Sequence, residues 1–357
     1  MRDVLRIDGS MGEGGGQVLR SSLSLSALTG TPIRVDNIRA GRRKPGLLRQ
    51  HLTALKAAAA VCGARVEGAD LGSRDVTFRP ERPRGGSYRF AVGTAGSATL
   101  VFQTVLPILL SAEEPTEVTF EGGTHNPMAP PFDFLERVYV PLLRQLGVRI
   151  DLTLGRPGFY PAGGGRFSVS LQPLAEASYL ELVTRPALIR ARAWVIVSRL
   201  PAHVAEREAS TLRQQLEVAP EHVAIHKVRS PGPGNAVCVL VEDGERPLEL
   251  FTAFGERGRR AERVAGDAAA QARRFVAANV PVGEHLADQL LLPLSFAGGA
   301  FLTHDLSSHT ATNIDVMRLF RGSDAVEVLR DGDDHLVRVA AGLERRRPSR
   351  PSPLDSP

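Results

Sequence analysis

An internal repeat constrains this chain more than any other sequence feature. The same order of patterns, helix, strand, helix, strand and strand, occurs three times. In the first unit the helical patterns span Gly15–Thr29 and Pro45–Gly63; strand patterns lie between them at Ile33–Ile38 and after them at Arg65–Gly68 and Val76–Arg79. A repeated supersecondary unit of this kind predicts an array of stacked units.

The second and third units follow the same order. The second consists of a helix capped by Ser97, a strand at Glu117–Phe120, a helix after Pro130–Pro131, and strands at Val148–Leu154 and Arg166–Leu171. The third consists of a helix at Gly283–Phe296, a strand at Ala300–Thr303, a helix at Ser308–Phe320, and strands at Ala325–Leu329 and His335–Val339. The expected fold class is α/β (α+β), with the three repeats forming a large domain at residues 1–184 and 280–340.

Residues 185–279 interrupt the repeats with a different pattern. Strands are expected at Leu188–Val197, Val223–Val228, Ala236–Val241 and Leu248–Thr252, and helices at Ala202–Leu216 and Arg260–Ala278. This segment predicts a smaller α/β domain inserted into the array.

Composition is that of an ordinary globular protein. Hydrophobic residues make up 43% of the chain and charged residues 23%, which excludes a wholly disordered chain or a fibre. No apolar run is long enough for a transmembrane helix, and the N-terminal residues lack the apolar region of a signal peptide. Cys62 and Cys238 lie in apolar runs, so we expect buried free thiols and a cytoplasmic location.

The net charge of +5 is shared between a C-terminal tail and the rest of the chain, which are interpreted separately. The tail 341–357 is expected to be disordered, because residues 344–357 contain four prolines, three serines and a net charge of +2. The rest of the chain then carries only +3, which is too little to predict a nucleic-acid partner from net charge alone. Local clustering is more informative, since five cations lie within Arg39–Arg49: Arg39, Arg42, Arg43, Lys44 and Arg49.

Two short motifs suit phosphate binding, although each also has a simpler interpretation. The glycine-rich stretch Gly12–Gln17 lies between a strand and a helix, where it forms either a plain tight turn or a close approach to phosphate. Glu13 within it could ligate a divalent metal beside phosphates. The stretch Arg39–His51 is either a solvated basic turn or an anion site, with Arg20 one helix away.

The second helix of each unit should begin at an equivalent position in the array. That position carries Arg42, Lys44 and Pro45 in the first unit, His125, Asn126 and Ala129–Pro131 in the second, and His304, Ser307, Ser308 and His309 in the third. Helix N-termini favour anions, so three such ends could converge on a phosphate-rich ligand. A helix start also favours a neutral imidazole, which makes His309 a candidate nucleophile.

Several motifs in one order resemble a known family. They are Gly12–Arg20 (GEGGGQVLR), Ile38–His51 (IRAGRRKPGLLRQH), Gly158–Gly165 (GFYPAGGG), Glu284–Gln289 (EHLADQ) and Ser308–Asn313 (SHTATN). Together they closely resemble RNA 3′-terminal phosphate cyclases over about residues 4–340. The resemblance implies three repeats, each like the C-terminal domain of a translation initiation factor, with an inserted α/β domain.

The resemblance also implies an activity. The family converts an RNA 3′-phosphate to a 2′,3′-cyclic phosphate with ATP and a divalent cation, Mg²⁺ or Mn²⁺. A histidine takes AMP from ATP, AMP passes to the RNA 3′-phosphate, and the 2′-OH then displaces AMP. The implied partner is RNA with a 3′-terminal phosphate, no membrane is implied, and a homo-oligomer is left open.

Site residues follow from the same motifs. His309 corresponds to the nucleophile and Glu13 to the metal ligand. The nucleotide site corresponds to Gln103, Pro130, Phe134, His285, Asp288 and Gln289. The phosphate and RNA site corresponds to Arg20, Arg39, Arg42, Arg49, Gln50 and His51.

Two departures from the family pattern occur near this site. His285 stands where the family usually has Tyr, and the segment His304–Ser308 is one residue longer than the usual approach to the nucleophile. The alternative interpretation is a cyclase-like protein without activity that acts in ribosome biogenesis or binds RNA. A sugar-transferring enzyme built from similar repeats is a weaker alternative, because these motifs are not its signature.

Overall fold

A computed structural model describes residues 3–244 and 246–343. The predicted tail lies outside these residues from position 344 onward. Within the described part of the chain, no helix is long and apolar enough to cross a membrane. The described residues form four small mixed sheets and the helices that pack on them.

The first two sheets share one topology. The first contains β1 (Leu5–Asp8), β2 (Ile33–Asp36), β3 (Arg65–Glu67) and β4 (Val76–Arg79), in the order β1-β2-β4-β3. The second contains β5 (Gly86–Ala91), β6 (Thr116–Gly122), β7 (Ile150–Arg156) and β8 (Gly165–Leu171), in the order β5-β6-β8-β7. In both sheets the first two strands are parallel and the other pairs are antiparallel.

The third sheet has the same topology but is split in the sequence. Its first strand is β9 (Leu180–Leu182). A separate sheet follows, with β10 (Arg190–Ser198), β11 (Val223–Lys227), β12 (Gly234–Glu242) and β13 (Pro247–Phe254), in the order β11-β10-β12-β13. The third sheet then resumes with β14 (Gly299–Thr303), β15 (Val326–Asp331) and β16 (Asp334–Val339), and β9 pairs parallel to β14.

Helices connect the strands in each unit. They are α1 (Gly16–Thr29), α2 (Arg49–Cys62), α3 (Ala98–Leu110), α4 (Phe132–Phe134), α5 (Val140–Gln145), α6 (Ala202–Leu216), α7 (Ala261–Ala278), α8 (Glu284–Leu294) and α9 (Ser308–Arg321). A π-helical turn, Leu135–Tyr139, joins α4 to α5. Helix α1 packs against α2, α3 and α9, so it links all three units.

Apolar periodicity explains this packing. Most of α1 is buried, and its small serines permit close approach; Ser24 Oγ donates to the Thr104 carbonyl of α3 at 2.7 Å. One hydrophobic cluster runs through the three repeat sheets and includes one face of the inserted sheet, at Trp194 and Cys238. The other face of the inserted sheet packs with α6 and α7 in a second cluster. Alternating strands thus give the inserted sheet two buried faces.

The predicted α/β class with repeated units is confirmed, and each unit begins with a strand outside the repeated pattern, namely β1, β5 or β9. Strand β1 was expected before the glycine-rich stretch, whereas β5 and β9 were missed. Strand β5 is largely exposed, and β9 has only three residues, so neither has a clear apolar period. Because β9 belongs to the third sheet, the extra sheet interrupts the third unit rather than following the second. The domain limits 185–279, which enclose this sheet with α6 and α7, stay a prediction.

The start of the second helix was predicted too early. We expected Pro45 to open α2, but the helix begins at Arg49. Gly46 has a φ of +77° and its N–H donates to the Ile38 carbonyl at 2.8 Å, which holds this segment in a loop. The helix start therefore presents Arg49, Gln50 and His51, whereas the predicted Arg42, Lys44 and Pro45 lie in the loop before it.

Candidate active site

A cavity of about 1650 Å³ opens where the starts of α8 and α9 face the inserted sheet. Seven of the predicted site residues line it: Arg20, Pro130, Phe134, His285, Asp288, Gln289 and His309. Gln103 lines a smaller cavity of about 30 Å³ together with Arg20, Asp288 and Gln289. The structure thus brings the predicted nucleotide residues and the predicted nucleophile to one place.

His309 lies in the first turn of α9. Ser307 caps this helix, and its Oγ accepts a hydrogen bond from the Thr310 N–H at 3.1 Å. The His309 side chain is 45% exposed, and its Nδ1 lies 3.7 Å from Glu13 Oε1. That distance is too long for a hydrogen bond but short enough for the carboxylate to favour a proton on Nδ1. The opposite ring nitrogen, Nε2, makes no hydrogen bond with the residues that the structure describes.

The glycine-rich loop of the first unit packs on this helix. The Glu13 N–H donates to Thr312 Oγ1 at 3.0 Å, and the Glu13 carboxylate pairs with Arg42. Gly12 has a φ of +59°, and a Cβ there would lie 2.1 Å from Thr312 Oγ1. Only glycine therefore allows the loop to approach α9 this closely.

His51 and Arg20 meet beside the same loop. His51 is buried, and its Nδ1 accepts a hydrogen bond from the Leu48 N–H at 3.3 Å. Burial, helped by the positive charges of Arg20 and Arg39, lowers the pKa of His51 to about 3. His51 is thus neutral, with an N–H on Nε2, and a Cβ on Gly16 would touch both this atom and the Arg20 guanidinium.

Of the arginines predicted to bind phosphate, Arg20 is the one that lines the large cavity. Its Nη2 donates to Gln17 Oε1 at 2.6 Å. Burial lowers the pKa of Arg20 to about 10, while the negative charges of Glu13 and Asp288 oppose that shift. Arg20 therefore stays protonated near neutral pH and is partly desolvated, which strengthens its attraction for an anion.

The other predicted phosphate and RNA residues do not line the cavity: Arg39, Arg42, Arg49, Gln50 and His51. The segment 39–48 before α2 is called the basic loop. Arg39 is buried, and its Nη1 donates to the carbonyls of Lys44 at 2.6 Å and Gly46 at 2.8 Å, so this nitrogen holds the basic loop in shape. Gln50 Oε1 accepts from the Ser97 N–H at 2.9 Å and ties α2 to the second unit.

Helix α8 carries the polar nucleotide candidates. The backbone carbonyl of Asp288 accepts a hydrogen bond from Asn313 Nδ2 of α9 at 3.0 Å. The side-chain Oδ1 of Asp288 accepts one from Gln289 Nε2 at 2.5 Å. Gln289 in turn accepts a hydrogen bond from Gln103 of α3. Burial raises the pKa of Asp288 to about 6, despite the Gln289 hydrogen bond and the nearby His309 and Arg20.

Sequence reasoning missed a buried carboxyl group that positions α8. Glu249 of β13 is fully buried, and its Oε2 accepts a hydrogen bond from the Leu286 N–H at 2.9 Å. Burial raises the pKa of Glu249 to about 8. A lone acid in the apolar strand around Leu250 was a usable sequence signal, because such a residue needs a specific partner.

A second missed group fixes the helix beside Phe134. His125 was expected at a helix end near a ligand. It lines the large cavity but is buried, with Nε2 2.7 Å from Asp133 Oδ2. Asp133 Oδ1 also accepts from Trp194 Nε1 of the inserted sheet at 2.8 Å. These two contacts fix Asp133, the residue before Phe134, and connect the second unit to the inserted sheet.

Comparisons with known proteins identify the family of this chain. Residues 11–325 match the family model described as RNA 3′-terminal phosphate cyclase. The chain is 50% identical over 320 residues to the RNA 3′-terminal phosphate cyclase of Koribacter versatilis (strain Ellin345), covering 89% of this chain and 90% of that protein. It is 51% identical over 321 residues to that of Pseudomonas fluorescens (strain Pf-5), covering 89% of this chain and 93% of that protein.

One solved structure is distantly similar. The enolpyruvyl transferase NikO from Streptomyces tendae aligns with a TM-score of 0.40 and 12% identity, over 96% of this chain and 49% of that one. This similarity is too low to carry an argument about fold or activity, whereas the family model spans the glycine-rich loop, the basic loop and His309. The chain therefore belongs to the RNA 3′-terminal phosphate cyclase family.

Proposed function

We propose that this protein uses ATP to convert an RNA 3′-terminal phosphate into a 2′,3′-cyclic phosphate, with His309 as the nucleophile. Family membership supports the reaction. The observation that carries the residue assignment is the position of His309. Its half-exposed ring lies on the wall of the large cavity, with a carboxylate beside Nδ1.

The first step forms a covalent enzyme–AMP bond. His309 Nε2 attacks the α-phosphorus of ATP, a P–N bond forms, and the bond to the β-phosphate oxygen breaks to release pyrophosphate. Glu13 keeps the proton on Nδ1, so that the Nε2 lone pair is free for attack. Arg20 lies close enough to Asp288 and Glu13 to face the phosphates from the same cavity.

Two transfers then follow. An oxygen of the RNA 3′-phosphate attacks the AMP phosphorus, so that a P–O bond replaces the P–N bond of His309. The ribose 2′-OH next attacks the former terminal phosphorus, releases its proton to solvent, and expels AMP as the cyclic ester closes. We assign the RNA phosphate to the donors around the basic loop, namely Arg20, Arg39, Arg42, Arg49, Gln50 and His51.

The adenosine part of ATP is assigned to the other side of the cavity. Pro130 and Phe134 flank the adenine, and His285 takes the position of the family's Tyr. The His285 ring also packs against the buried ring of Phe251, with their centroids 6.2 Å apart. Asp288, Gln289 and Gln103 form a hydrogen-bonded chain that we assign to the ribose and base.

Glu13 is the residue that we assign to a divalent cation, Mg²⁺ or Mn²⁺. In the described chain no group of three or more His, Cys, Asp or Glu side chains could hold a metal alone. Mg²⁺ usually binds through one or two carboxylates together with water and substrate phosphates, so a single carboxylate beside His309 fits it. When bound, the cation would offset negative charge on the phosphates.

We also propose a cytoplasmic location. Cys62 and Cys238 are both buried free thiols. Burial raises the pKa of Cys62 to about 12 and that of Cys238 well above its usual value, so neither is a reactive thiolate. Free thiols in apolar surroundings support a reducing compartment.

The test is the product of a complete reaction. With ATP and an RNA 3′-phosphate, we expect the terminal phosphate to become resistant to phosphatase, and His309→Ala to abolish this protection. His304→Ala is the matched control, since His304 pairs with Asp334 at 2.8 Å and is absent from the cavity wall. A wild-type protein that binds RNA but neither consumes ATP nor protects the phosphate would support the non-catalytic alternative instead.

A further inference from the structure

A second arginine-rich segment lies apart from the cations of Arg39–Arg49. Residues 256–274, at the end of β13 and along α7, contain six arginines and three acidic residues, a net charge of +3. The whole chain carries +5, of which the tail 344–357 contributes +2. The remaining residues sum to zero, because acidic residues elsewhere offset the +5 of residues 39–49. A local excess of arginine on one cavity wall indicates a polyanionic partner more specifically than total charge does.

Three of these arginines face the large cavity: Arg257, Arg259 and Arg274. Arg259 is engaged, because it pairs with Asp267 and donates to the Phe254 carbonyl at 3.0 Å. Arg257 and Arg274 are exposed and form no ion pair with the residues that the structure describes. Arg273, the neighbour of Arg274, points elsewhere and donates to the Gln215 carbonyl at 2.8 Å.

The cavity is larger than one nucleotide requires. Pockets for a single small ligand occupy roughly 300–1,000 Å³, whereas this cavity measures about 1650 Å³. It runs from His309 and His285 to the inserted helices. Besides Pro130, Phe134 and His285, which we assign to ATP, the cavity wall includes residues of α7 that have no part in that assignment.

A buried polar atom in the same cavity has no protein partner. Glu208 of α6 is fully buried and lines the cavity, and its Oε2 accepts a hydrogen bond from Asn235 Nδ2 at 2.8 Å. Its Oε1 has no hydrogen-bond partner among the described residues. Because Oε1 is itself out of contact with solvent, Glu208 does not contact a ligand directly, and the case for one rests on the arginines and on the size of the cavity. Burial also raises the pKa of Glu208 to about 7, which limits its repulsion of an anion.

We propose that α7 and the loop before it bind the RNA strand upstream of its 3′-terminal phosphate, with Arg257 and Arg274 contacting backbone phosphates. This inference rests on the proposed function for the identity of the RNA end. It gives the inserted sheet and its helices a role as one wall of the RNA-binding groove. The 3′-terminal phosphate itself stays at Arg20 and the basic loop, so a very short RNA does not need this wall.

The test compares two double variants with RNAs of two lengths. Arg257→Gln with Arg274→Gln removes the cavity-facing charges, and Arg260→Gln with Arg273→Gln removes two charges of the same segment that do not line the cavity. The RNAs are a 3′-phosphorylated strand of about 16 nucleotides, near the upper limit of single-strand sites, and a 3′-phosphorylated dinucleotide. Binding is measured by fluorescence anisotropy over a range of salt concentrations.

We expect the cavity-facing double variant to bind the long strand at least about tenfold more weakly. Its salt dependence, the slope of log K against log salt, should fall by about 1.4 for two lost phosphate contacts. Dinucleotide binding should be unchanged, and the control variant should stay within about twofold of wild type. Equal weakening in both double variants, or equal weakening for both RNAs, would overturn the proposal.

Activity assays distinguish a failure of this proposal from a failure of the proposed function. Enzyme–AMP formation from labelled ATP should be unchanged in both double variants, because neither touches the residues assigned to ATP. Transfer of AMP to the long RNA should slow only in the cavity-facing variant. If the wild-type protein forms no cyclic phosphate at all, the proposed function fails, while the binding measurement still decides whether Arg257 and Arg274 hold RNA.

Discussion

Two histidines occupy equivalent places in the first and third units but have opposite surroundings. His51 lies in the first turn of α2 and His309 in the first turn of α9. His51 is 4% exposed and accepts a backbone hydrogen bond through Nδ1, whereas the His309 side chain is 45% exposed and lies on a cavity wall. Both rings lie at a helix start, so the difference between them lies in what surrounds each ring.

Burial and neighbouring groups therefore decide what each imidazole can do. His51 has its acceptor nitrogen occupied and two arginines nearby, so it can only donate through Nε2. His309 has a carboxylate near Nδ1 and an accessible second nitrogen, which is the arrangement of a nucleophile. The repeat thus places a histidine in the first turn of a helix twice, and side-chain packing separates the binding role that we propose for His51 from the catalytic role that we propose for His309.

The largest expected effect comes from moving the glycine-rich loop away from His309. Gly12→Ala places a Cβ against Thr312 and should lower the rate of enzyme–AMP formation by about 100-fold or more, since ~1 Å of misplacement can cost this much. Gly332→Ala is the control. Its φ is +66°, and a Cβ there meets nothing within 4 Å, so it carries the same backbone strain without the clash. Equal loss of adenylylation in both variants would show that loop placement is not the cause.

A smaller effect is expected from removing the donor of His51. His51→Asn keeps an acceptor for the Leu48 N–H but loses the Nε2 donor. Loss of a hydrogen bond to a charged phosphate costs about 1.5–3 kcal/mol, so transfer of AMP to RNA should slow roughly 10- to 150-fold. Enzyme–AMP formation should change by less than about threefold. Single-turnover rates from isolated enzyme–AMP measure this, and slow adenylylation with normal transfer would reverse the assignment of His51.

The smallest effect concerns stability in acid. The pKa of His51 is about 3 in the folded protein, and its ordinary value in the unfolded chain is 6.5. Between these values the unfolded chain binds a proton that the folded protein does not, so His51 lowers stability as pH falls below 6.5, by at most about 1.4 kcal/mol per pH unit. Urea unfolding at pH 7 and pH 5 should show a smaller acid loss for His51→Asn than for wild type. An identical loss in both proteins would mean that His51 is protonated in the folded state.

Much of the fold follows from sequence periodicity, but the weak strands do not. Helices α1, α3 and α9 begin within a residue of their predicted starts because caps, glycine stops and apolar spacing agree. Strand β9 has three residues, and only its pairing with β14 across the inserted segment defines it. Long-range pairing of this kind leaves no local signal.

The residues of the site were likewise predicted only in part from the sequence. Motif resemblance led to His309, Glu13 and Asp288, which are near one another in space. It did not predict Glu249 or the Asp133–Trp194 contact, since both join the inserted sheet to helices distant in sequence. Nor did it predict that Arg39 binds the carbonyls of its own loop, because spacing does not reveal where a guanidinium points.

The position of the covalent adenylate tests the central contrast between His51 and His309 most directly. Wild-type protein incubated with ATP should gain the mass of one adenylyl group, and peptide mapping at neutral pH should place it on His309. His51→Asn should still be labelled at His309, and His309→Asn should not be labelled. An adenylate on His51 or on any other residue, or undiminished labelling of His309→Asn, would contradict the account.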